Sequence, residues 1–131
     1  MNEELATGAA VAALVLLTLL ALFQLALALG APLGRVAWGG RHRVLPGRLR
    51  VGSAVSILLY ALFGTVLADR VGLVDVLPDA VSEVGTWVLA GYFLLGVVMN
   101  AVSRSVPERL TMAPVAALLS GACVVIALAA G

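Results

Sequence analysis

The chain has 131 residues, 63% hydrophobic and only 11% charged, with a formal net charge of +1. Soluble domains are about 45–50% apolar with glycine counted and roughly 25% charged, so these charges are too few to keep so much apolar side chain in water. The balance excludes a disordered chain, a nucleic-acid-binding module and an ordinary cytosolic enzyme, and it makes lipid the solvent.

Four stretches carry no charge: 6–29, 51–68, 84–103 and 110–131. At about 1.5 Å per residue, helices of such lengths reach roughly 27–36 Å, against a hydrocarbon core of about 30 Å. Backbone groups in lipid bond within their own segment, and no stretch alternates with period two, so each reads as helix rather than strand. Helices are predicted at about 6–29, 51–69, 84–103 and 110–130. The fold class is all-α, a membrane-spanning four-helix bundle forming a single transmembrane domain over 1–131.

The first span opens on Asn2-Glu3-Glu4. A secretory signal opens on basic residues and has a shorter apolar run, so this span reads as a retained helix. Gln24 is the polar residue near its inner end, and Gly30 with Pro32 predicts its stop.

The loop from Gly30 to Arg50 contains five glycines, two prolines and Arg35, Arg41, Arg43, Arg48 and Arg50. Twenty-one residues exceed what neighbouring antiparallel helices need. Leu33, Val36, Trp38, Val44 and Leu45 suggest that the loop lies on the membrane or folds under the bundle, with Trp38 as an interfacial anchor. Each arginine beside an anionic leaflet is worth about 1 kcal/mol. A sharper expectation aims Arg35, Arg41 and Arg43 at a phosphate or carboxylate beside glycine-rich backbone. The glycines fit neither a Walker loop nor a dinucleotide fingerprint. His42 lies between Arg41 and Arg43, and Cys123 is the only cysteine, so neither a metal site nor a redox pair is predicted.

The later spans carry small or polar residues every fourth position: Gly52, Ser56, Tyr60, Gly64 and Ala68 in the second; Tyr92, Gly96, Asn100 and Arg104 in the third; Ala113, Ala117 and Gly121 in the fourth. The first offers Gly8 with Ala12 and Ala26 with Gly30. Such stripes let helices approach closely, and one of them can serve as a seam in a homo-oligomer. The second loop holds Asp75, Asp79 and Glu83 at spacing four, which suits a helix starting after Pro78. In the third, Arg104 and Glu108 are spaced for a local ion pair.

Seven of the eight arginines fall in loops one and three. Positive-inside counting puts those loops in the cytoplasm and both termini outside it. Gln24, Ser56 and Asn100 then lie in the cytoplasmic half. If they face inward they form a polar layer open to the cytoplasm, explained most simply by interhelical hydrogen bonds. No charged residue lies near the middle of a span, which disfavours a proton-coupled pump or a small multidrug exporter.

Gly30-Ala-Pro-Leu-Gly34, Gly39-Gly40 and Leu45-Pro46-Gly47-Arg48-Leu49-Arg50 resemble the first loop of small uncharacterised bacterial four-helix membrane proteins. The likeness extends to Asn100 and to Arg104, Glu108-Arg109 and Ala113-Pro114; many members carry Trp where Leu33 stands. The resemblance implies this topology in a bacterial plasma membrane, and no mechanism.

Two functions follow. The first is a binding or accessory protein whose basic loop engages anionic lipid or a partner through Arg35, Arg41, Arg43, Arg48, Arg50 and Arg104, with Trp38 at the interface. The second is a small oligomeric transporter or channel lined by Gln24, Ser56, Tyr60 and Asn100. No catalytic constellation is apparent, no cofactor is implied, and the partners expected are lipids rather than nucleic acid.

Overall fold

The computed structural model describes residues 2–130. Its helices are α1 (Asn2–Ala28), α2 (Gly47–Arg70), α3 (Asp79–Ala101) and α4 (Val106–Ala129), with two short 3-10 turns, Gly34–Val36 and Trp38–Gly40, in the first loop. The fold is an all-α four-helix bundle, and each helix is long and apolar enough to cross a membrane. The tightest pairing is α3 with α4. Helix α1 packs on both α2 and α4, and α2 meets α3 more loosely.

Every helix starts about one turn before its charge-free run. The run marks the stretch suited to hydrocarbon, whereas the first turn can be polar: it holds Arg48 and Arg50 in α2 and, in the other three helices, acids that favour a helix N-terminus. Glu3 and Glu4 occupy that turn in α1, Asp79 in α3 and Glu108 in α4. Helix α3 starts directly after Pro78, leaving Asp75 outside it. The N-cap of α4 is Ser105, whose hydroxyl accepts the Glu108 N–H at 3.4 Å. Helix α1 ends where Gly30 takes a left-handed φ of 95° and Ala31 N–H returns to the Ala26 carbonyl at 2.9 Å. Across the bundle, Asp69 Oδ2 accepts the N–H groups of Val76 and Leu77, both at 2.8 Å, and so pins the α2–α3 loop.

The end of the bundle nearer the termini is closely packed. Ala10, Ala13 and Leu17 of α1, Leu67 of α2, Leu89 of α3 and Ile126 of α4 are buried in one cluster. Small residues allow this approach: a Cβ on Gly64 would lie 3.1 Å from Leu14. Ser120 Oγ donates to the Ala90 carbonyl at 2.9 Å and joins α4 to α3. The expected stripes divide accordingly. Gly64 and Ala68 are buried, whereas Gly8, Ala12, Ala117 and Gly121 face outward. Leu19, Leu58, Leu94 and Leu118, one from each helix, are all more than half exposed. An apolar surface on every side suits lipid and would be an aggregation surface in water.

Candidate functional site

The long loop folds under the bundle and is tied there. Gly34 N–H donates to the Arg43 carbonyl at 2.9 Å, and a Cβ on Gly34 would collide with the His42 carbonyl oxygen. Ala37 and Leu45 are buried beside Leu27 of α1. Ser105 Oγ donates to the Arg35 carbonyl, and Gly39 N–H donates to Glu108 Oε2 at 3.3 Å. The backbone runs left-handed through Trp38, Gly39 and Gly40, with φ of 53°, 81° and 73°. That conformation is uncommon for tryptophan. Two contacts hold it: Trp38 Nε1 donates to Ser53 Oγ at 3.1 Å, and the indole lies over Gly52, where a Cβ would come within 2.9 Å of the ring. Trp38 is thus seated on α2 while keeping part of its surface exposed. Arg50 also has a structural task, because its Nε donates to the Ala28 carbonyl at 2.8 Å and closes the C-terminus of α1.

Above this loop, inside the bundle, is a cavity of about 340 Å³. Gln24 from α1, Ser56 and Tyr60 from α2 and Asn100 from α3 all line it, together with Trp38. The expected polar lining is thus brought to one place. Val36, Ala37 and Trp38 of the loop line it as well. Tyr92, Leu95 and Met99 form the α3 wall, and each is about half exposed or more on the outside of the bundle. The cavity therefore borders the outer surface on the loosely packed α2–α3 side.

Gln24 of α1 and Tyr60 of α2 meet as a polar pair across the helices, as expected, whereas Ser56 and Asn100 do not. Ser56 Oγ donates to the Gly52 carbonyl at 3.0 Å, and Asn100 Nδ2 donates to the Gly96 carbonyl at 2.8 Å, each within its own helix. Gln24 Oε1 is buried with no hydrogen-bond partner.

Sequence reasoning missed two features. Five of the seven aromatic residues line this cavity: Phe23, Trp38, Tyr60, Tyr92 and Phe93. Tyr92 and Phe93 meet edge to face at 5.4 Å, and Phe63 stands behind them 5.2 Å from Tyr92. Glu108, read as a surface partner of Arg104, is only 6% exposed and faces the cavity. The available signal was its register: Glu108, Met112, Val115 and Leu119 fall on one helical face and all line the cavity.

A second hollow lies on the outer side of the same loop. Arg35 and Arg41 from loop one and Arg104 from loop three surround it with Gly39, Gly40 and Ser105. Arg43 and Arg48 are exposed and line neither hollow. Among the described residues no cluster of His, Cys, Asp and Glu could hold a metal ion.

No family model, curated protein or solved structure matches the chain.

Proposed function

We propose that the loop end binds anionic lipid headgroups at the cytoplasmic face of a bacterial plasma membrane, with both termini outside the cytoplasm. The supporting observation is the convergence of Arg35, Arg41 and Arg104, from two separate loops, around one hollow. Guanidinium groups bind phosphate through paired N–H donors. Three of them at about 1 kcal/mol each amount to roughly a hundredfold in affinity. The test is titration of the purified protein, in neutral detergent, with short-chain phosphatidylglycerol and phosphatidylcholine. Replacing Arg35, Arg41 and Arg104 by Gln is expected to remove the preference for phosphatidylglycerol. An undiminished preference defeats the reading.

A second reading is supported by the meeting of Gln24, Ser56, Tyr60 and Asn100 in one cavity: the bundle binds or carries a small molecule. Pockets for small molecules are typically about 300–1,000 Å³. Asn100→Leu replaces a polar wall with an apolar one and is expected to reduce saturable uptake of small amphipathic probes by proteoliposomes. Uptake equal to that of the unaltered protein argues against this reading.

A further inference from the structure

We propose that the cavity accepts the positively charged head of a small organic cation, an amphipathic amine or quaternary ammonium, with Glu108 as its counter-charge. This rests on the reading of the cavity as a small-molecule site.

Three observations converge. The first is charge. Glu108 is the one ionisable carboxylate in the lining, and it is 6% exposed. Its side-chain partner is Gly39 N–H at 3.3 Å, and the first turn of α4 favours its charge through partial rather than formal positive charge. Arg104, one turn before it in sequence, lines the other hollow. A buried carboxylate is unfavourable unless a positive group meets it.

The second is the direction of the hydrogen bonds. The donors of Ser56 and Asn100 are turned to carbonyls of their own helices, and Trp38 Nε1 is engaged by Ser53. The Gln24 acceptor is buried without a partner. With those donors engaged, the Gln24 oxygen is open to a donor-bearing or cationic guest, beside the Tyr60 and Tyr92 hydroxyls, which can turn their oxygens to it.

The third is the aromatic wall. Rings attract cations through their faces, and Trp38, Tyr60, Tyr92 and Phe93 supply most of this chain's aromatic surface at one place. An anion would meet the Glu108 carboxylate and be repelled; the arginine hollow across the loop suits it instead. The apolar remainder of the wall, including Leu95 and Met99, suits the hydrocarbon part of an amphipathic guest.

The test uses benzyltrimethylammonium and its neutral isostere neopentylbenzene, added to the full chain in phosphatidylcholine nanodiscs. Trp87→Phe leaves Trp38 as the sole tryptophan, so its emission reports occupancy of the cavity. The cation is expected to shift that emission saturably and more tightly than the isostere. Glu108→Gln keeps an acceptor for Gly39 N–H and is expected to weaken the cation by about tenfold or more while leaving the isostere unchanged. Gln24→Leu is expected to weaken it by about threefold. If the isostere binds as tightly as the cation, or Glu108→Gln leaves the cation's affinity unchanged, the charge assignment falls and the small-molecule site stands. If neither probe binds saturably, both fall. Should Glu108→Gln fail to fold, the cation-to-isostere ratio in the Trp87→Phe protein and the Gln24→Leu variant still decide.

Discussion

Toward the termini, α1 meets its neighbours through Ala10, Ala13 and the groove at Gly64, and the interior is filled by Leu67, Leu89 and Ile126. Toward the loop, the same helices turn Phe23, Gln24, Tyr60 and Asn100 inward, and a cavity of about 340 Å³ remains between them. Both halves are apolar, so hydrophobicity does not distinguish them. In lipid an apolar side chain gains little by being buried, and helices associate where small residues allow backbone approach or polar groups tie them. Small residues close one half. In the other, aromatic rings and amides hold the helices apart, and loop ties take over: Trp38 to Ser53, Gly39 to Glu108 and Ser105 to Arg35.

If the loop end is held by its ties, disturbing the loop should have the largest effect. Gly34→Ala has no space beside the His42 carbonyl and is expected to unseat the loop at about 3 kcal/mol. Trypsin reads this directly, because the loop carries five arginines. Cleavage within it should quicken by roughly a hundredfold, and an unchanged rate would mean that the loop is not held as described. Next, a truncation should matter more in the filled half than in the hollow one. Leu67→Ala, in the filled half, should lose about 2 kcal/mol, and Met112→Ala, beside the existing cavity, less than about 1 kcal/mol, by reversible unfolding in mixed micelles. Equal losses would erase the distinction between the halves. The smallest change is expected for Asn100→Leu. Its amide bonds only to its own helix, so stability should stay within about 0.5 kcal/mol while probe uptake falls. A large loss of stability would make Asn100 a packing residue instead.

Much of the architecture was legible because the bilayer imposes a length on each helix. The charge-free runs locate all four helices, and only the polar first turns and the Asp69-Arg70 end of α2 fall outside them. Gln24, Ser56, Tyr60 and Asn100 stand out because polar groups in apolar runs are few. Glu108 did not, since a charged residue in a short loop reads as solvated; only its register with Met112, Val115 and Leu119 puts it inside. Arg50 was hidden for the opposite reason. It lies in a basic loop and reads like its neighbours, yet it serves the end of α1 through a bond to a backbone carbonyl, and backbone acceptors have no sequence signature. The seating of Trp38 on α2 depends on Gly52 and Ser53, which come more than a dozen positions later in the chain.

The ties from the loop to the start of α4 connect groups 69 and 70 positions apart. A growing chain emerges from its N-terminus at about 5–20 residues per second, so the first loop waits several seconds for Ser105 and Glu108 to be made. Until then the segment around Trp38 lacks two of its anchors. Seating of the loop is thus completed only after the start of the last helix has been made.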